Sequence, residues 1–167
     1  MTLNTPLTRE DIDRLRAGDT VYVSGNIYCG RDAVLPRIVK AAEEGRLEEL
    51  CIELEGAVIF HTAVSPAGVG PTSSNKLEIE SSISPLSERG VRMHLGKGEI
   101  SAETVQALKE HGSVFAIIPP VTALLEDKTL SRRLVAFPEL GIEAFYELKV
   151  EEYPVIIAAA CGKSIFA

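Results

Sequence analysis

At 167 residues, 46% of them hydrophobic, the chain is long enough for one compact domain with its own core, residues 1–167, and no composition shift marks a second. A formal net charge of −7 and a pI near 5.0 exclude a general nucleic-acid binder, which sets clustered Lys and Arg against phosphates. No run of about 18 apolar residues offers a membrane span, and the opening MTLNTPLTRED lacks the basic region and apolar run of a secretory leader, so a soluble cytoplasmic protein is expected.

Residues 8–17 read as a short amphipathic helix with Thr8 as N-cap, acidic residues in its first turn and Gly18 just beyond its end. DTVYVSGNIY then alternates apolar and polar side chains as a half-buried strand does. A second helix is expected over residues 31–44, stopped at Gly45, with Pro36 kinking it or delaying its start. After Gly56 the β-branched content rises, and a strand is expected in AVIFHTA. Residues 64–76 (VSPAGVGPTSSNK) concentrate Pro, Gly, Ser and Thr, the composition of an exposed loop.

A helix over residues 75–89 carries Leu77, Ile83 and Leu86 and stops at Gly90. VRMHLG is a short strand, and a helix over residues 101–111 is capped by Ser101 and closed by Gly112. SVFAII is an apolar strand ending at Pro119 and Pro120. RLVAF, AFYELKV and YPVIIAAACG read as three further strands, with CGKSIF as a terminal turn and edge. Helices interleaved with strands early and strands alone later indicate an α/β fold with a mixed sheet and flanking helices.

Three junctions share one pattern: a strand ends, a Gly-containing turn follows, a helix begins, and a cation lies in or beside the turn. They are YCGRD with Arg31, GVGPTSSNK with Lys76, and GKGE with Lys97. Helix N-termini present unpaired N–H groups and a partial positive charge, so each junction suits an anion. Any one of them is an ordinary helix start. Together they place three cations at anion-binding positions in an acidic chain. The middle junction is not a phosphate-binding P-loop, because Asn75 replaces the Gly before its Lys and Leu77 the following Ser or Thr. The three cysteines, Cys29, Cys51 and Cys161, are odd in number and widely spaced, and form neither a disulfide framework nor a cluster- or zinc-binding set.

The order YCGRD, GPTSSNK, GKG and ELKVEEYPVIIA resembles the beta subunit of the class I iron–sulfur fumarate hydratase and L-tartrate dehydratase family, from about residue 6 to 166. The resemblance implies a swivelling β/β/α domain. It implies a four-iron four-sulfur cluster on a partner alpha subunit rather than on this chain, and no activity without that partner. A small dicarboxylate would be the substrate, with fumarate hydrated to L-malate, and the assembly a higher oligomer of alpha–beta pairs. Nucleic acid and membrane are not expected partners.

Carried over position by position, Arg31 matches the family's substrate-carboxylate arginine, Thr72 the threonine proposed as catalytic base, and Lys97 the active-site lysine. Gly70, Lys76 and Lys97 join Arg31 in substrate binding. Lys76 stands where many members have arginine, a compact charge in place of a bidentate fork. Two alternatives remain: an L-tartrate dehydratase beta subunit, and a non-enzymatic anion-binding module that keeps the fold.

Among the other polar residues, His61 and His94 fall in strand segments and are expected to be hydrogen-bonded structural histidines, while His111 suits a helix C-terminus. Asp32 could orient Arg31 or improve the helix start. Glu147 and Glu151 border the last strands, where a solvated face is the ordinary outcome. Cys29 is the only thiol near the expected pocket and has no catalytic role assigned.

Overall fold

The computed structural model describes residues 1–31, 33–65, 68–72, 76–96, 100–118 and 127–165, with backbone alone at 63–65, 68–72 and 76–79. The strands are β1 (Thr2–Asn4), β2 (Thr20–Cys29), β3 (Val58–Phe60), β4 (Thr62–Ser65), β5 (Gly68–Thr72), β6 (Met93–Gly96), β7 (Val114–Ile117), β8 (Thr129–Ala136), β9 (Phe145–Ala160) and β10 (Lys163–Ser164). The helices are α1 (Arg9–Asp13), α2 (Leu35–Glu43), α3 (Lys76–Glu88) and α4 (Ala102–His111), with a 3-10 helix over Pro138–Glu143.

Strands β2, β3, β6 and β7 run parallel in that order, and β9 pairs antiparallel with both β7 and β2. The five strands therefore close into a ring. β1 extends it beside β2, while β8 and β10 pair with β9. Alternation decides which side chains fill the ring. Val58 and Phe60, Met93 and Leu95, Val114 and Ala116 point inward with Val21, Val23 and Ile27. Ile59 packs outside with Leu35, Ile38 and Leu86 beneath α2 and α3, and Phe115 packs outside with Val105 and Leu108 of α4.

Most of the expected elements are present, with corrections that have physical causes. Thr8 does cap α1, its hydroxyl accepting from the Asp11 amide while Asp11 returns a bond to the Thr8 amide, but the helix ends at Asp13 instead of residue 17. Pro36 delays α2 to Leu35, since a proline belongs in a helix's first turn. Ser101 caps α4, and Gly112 closes it with φ 69, a left-handed position.

Residues 64–76 are not a loop throughout: Val64 pairs with Val69 and Ser65 with Gly68, making β4 and β5 a hairpin. The two tail segments expected as separate strands are one 16-residue strand, β9. Their alternation is broken by a bulge: Val23 faces Tyr153 and Gly25 faces Val150, so β9 spends an extra residue there. Glu152, at φ 51, donates its amide to the Ser24 hydroxyl. Inward residues consequently switch from Leu148 and Val150 to Tyr153, Val155 and Ile157. β1 and the 3-10 helix were not foreseen.

Candidate active site

Register fixes which residues share an edge of the ring. Cys29 is level with Phe60, and Phe60 with Leu95, across β2, β3 and β6. Two residues further along each chain come Arg31, Thr62 and Lys97. With parallel neighbours about 4.8 Å apart, β2 and β6 lie about 10 Å from each other, so the three consecutive strands end at one carboxyl-terminal edge. Open parallel sheets and closed parallel barrels alike place their ligand sites at that end of the strands.

Arg31 follows β2 directly. Gly30 is needed there because a Cβ would lie 2.7 Å from Val34 Cγ1 and 3.0 Å from Phe145 Cδ1. The Arg31 Nε donates to both carboxylate oxygens of Glu143, at 2.9 and 3.2 Å. Glu143 ends the 3-10 helix, two residues before β9, and was not singled out from the sequence. Nothing local could reveal it: the partners are 112 residues apart and meet because Cys29 pairs with Tyr146 and Tyr28 stacks on Phe145, centroids 5.0 Å apart.

The β4–β5 hairpin springs from the same edge. Thr62 pairs in register with Thr72, which ends β5, and Gly70 lies within that strand. Lys76 is the first residue of α3. Arg31 and the backbone of Thr72 are thus brought to one edge. Lys97 and Asp32 lie outside the described residues, although Gly96, which precedes Lys97, closes β6 at that edge.

A buried polar chain begins at His61, the residue immediately before β4. His61 Nε2 lies 3.1 Å from His94 Nδ1, and His94 Nε2 lies 2.9 Å from the Ser87 hydroxyl. Both imidazoles are held neutral: burial lowers His61 to about 4, and burial followed by the charge of His61 lowers His94 well below its ordinary value. Their reading as hydrogen-bonded histidines is correct, yet His61 Nδ1 is buried without a partner among the described residues.

Other residues fall away from the edge. Cys29 points into the ring, fully buried, with its thiol pushed up by burial, and so does not border the site as its position beside Arg31 suggests. Glu147 accepts from Arg133 at 2.9 Å instead of meeting a cation of the edge. His111 ends α4, as expected. A surface cleft of about 200 Å³ is lined by Glu53, Glu55, Glu147 and Tyr28, and its charge opposes an anionic ligand. No group of three or more His, Cys, Asp or Glu able to hold a metal ion occurs among the described residues, and Cys51 and Cys161 are exposed. No helix among them is long and apolar enough to cross a membrane.

The whole chain, residues 1–167, matches the family model described as Fumarase C-terminus. The chain belongs to that family. It is 30% identical, over 94% of its length, to a protein assigned as a class I fumarate hydratase in Geobacillus stearothermophilus, of which it spans only 31%. It is 29% identical, over 96% of its length, to a protein assigned as an L(+)-tartrate dehydratase beta subunit in Methanocaldococcus jannaschii, spanning 88% of that chain. The L(+)-tartrate dehydratase beta subunit of Escherichia coli is 26% identical over 93% of the chain, which spans 81% of it. The fold class and the family expected from the motifs are both borne out.

Proposed function

We propose that this fumarase C-terminus chain is the beta subunit of an iron–sulfur-dependent hydro-lyase that hydrates fumarate to L-malate. The observation that carries the reading is the register of β2, β3 and β6, which leads Arg31, the Thr62–Thr72 hairpin and the segment entering Lys97 to one edge. Arg31, Lys76 and Lys97 supply cations for a dianion, with Gly70 letting backbone approach it, and they stabilise the extra charge that develops when a proton leaves the carbon beside a carboxylate. Thr72 takes that proton. An alkoxide there requires neighbouring cations, and the three provide them.

Among its described residues the chain offers no cluster ligands, so in this reading the four-iron four-sulfur cluster, and the electrophile it provides for the departing or incoming hydroxyl, belong to an alpha subunit. The two form a shared site in the cytoplasm, in a higher oligomer of alpha–beta pairs, with residues 1–167 as one domain. A second reading, L-tartrate dehydratase, is favoured by the chain's near-full coverage of the beta subunits named for that activity.

The deciding experiment is anaerobic co-expression with a cluster-bearing partner, cluster reconstitution, and assay against fumarate, malate and tartrate. Turnover of fumarate and malate is expected, and preference for tartrate selects the second reading. Lys97→Ala should lower kcat by about 10²–10³-fold, the usual loss for one charge-stabilising group, with an unchanged circular dichroism spectrum. No turnover of any dicarboxylate would leave an anion-binding module.

A further inference from the structure

We infer that Glu143 is a positioning residue for Arg31, holding the guanidinium so that its outer edge is presented to a substrate carboxylate. The inference rests on the reading of Arg31 as a carboxylate-binding residue and names what orients it.

A guanidinium has five N–H donors in a planar fork. Glu143 engages only the Nε position, with both of its oxygens on that one nitrogen at 2.9 and 3.2 Å. Among the described residues Nη1 and Nη2 have no partner, and their edge can take a carboxylate through two parallel bonds. Both side chains are partly open to solvent, 25% for Arg31 and 23% for Glu143, so a ligand can reach the pair.

Glu143 is held from outside the site. Arg37 of α2 lies 5.5 Å over the Phe137 ring and 3.7 Å from the Glu139 carboxylate, which fastens the front of the 3-10 helix. Phe145 on Tyr28 fastens the chain behind it. Glu143 therefore meets Arg31 from a segment held on both sides, with the helix broken at Gly141 (φ 61, ψ −123) between Glu139 and Glu143.

Two other accounts of the contact give different outcomes. As a mere surface ion pair Glu143 would leave both KM and kcat unchanged on removal. As an internal competitor occupying Arg31, it would have to be displaced by substrate, and its removal would tighten binding. Removing a fixed carboxylate also makes the edge more positive, which by charge alone favours a dianion. A weakening on removal that depends on Arg31 therefore points to lost orientation.

The test uses the reconstituted complex with Glu143→Ala, Glu143→Gln, Arg31→Ala and the double variant Glu143→Ala with Arg31→Ala. Glu143→Ala is expected to raise KM about tenfold while kcat stays within about threefold, as for lost binding common to ground and transition states. Glu143→Gln, which still accepts from Nε, should fall between it and the parent. In the Arg31→Ala background Glu143→Ala should change nothing further. A fall in KM, an unchanged KM, or an equal rise with and without Arg31 would overturn the inference. A parent complex that turns over no dicarboxylate would instead bring down the hydro-lyase reading itself, and is visible before any variant is made.

Discussion

Burying two imidazoles 3.1 Å apart couples this fold to pH. The folded state holds His61 at about 4, against 6.5 for a free imidazole, so between those values the unfolded chain binds more protons than the folded one. The stability involved is complete above about pH 6.5 and is lost as pH falls towards 4. A shift of that size amounts to about 3 kcal/mol. Urea melts from pH 7 to pH 4.5 should show this decline, and His61→Phe paired with His94→Leu should flatten it; an equally steep decline in the double variant would place the effect elsewhere. Gly30 poses a steric question instead. Gly30→Ala should destabilise by about 1–3 kcal/mol, since the new methyl strikes Val34 and Phe145, and should raise KM by tilting Arg31 away from Glu143.

Local chemistry wrote several of the helix ends, and those are legible, whereas the end of α1 at Asp13, four residues short of the expected boundary, is not. Thr8, Ser101, Gly112 and Pro36 each act within one turn of chain, so residue type and spacing suffice. Ser101→Ala should accordingly cost about 1 kcal/mol in chemical denaturation, because the Thr104 amide loses its acceptor at 3.2 Å. The hairpin was hidden, since Pro and Gly in VSPAGVGPT favour turns and its pairing lies in backbone bonds that composition does not report. Of the residues proposed for the site, Arg31, Thr72 and Lys97 are chosen from motifs, whereas Glu143 is visible only in the structure. The glutamate's relation to Arg31 exists only through the pairing of β2 with β9. Cys29 points into the ring because it shares the alternation of Val23 and Ile27 on β2, whereas Arg31 lies beyond the end of that strand.

For the molecule as a whole, the closed ring is what keeps the candidate edge in register. Phe60 lies inside it, its ring edge-on to Tyr153 with centroids 6.4 Å apart. Phe60→Ala should cost about 3–5 kcal/mol in thermal or urea unfolding and also reduce turnover in the assembled enzyme, because Phe60 sits immediately before His61 and the hairpin. A loss of stability without any effect on KM or kcat would show that the edge is insulated from the interior. The bulge at Glu152 carries a further consequence. It works like a punctuation mark in a two-letter code: before it the even-numbered Leu148 and Val150 are read as interior, after it the odd-numbered Tyr153, Val155 and Ile157. Deleting Glu152 would leave Glu151 alone between Val150 and Tyr153, opposite Ser24, so that plain alternation carries Leu148, Val150, Tyr153, Val155 and Ile157 inward without a break; the core pattern would survive, and what the strand would lose is its local kink and the bond to the Ser24 hydroxyl.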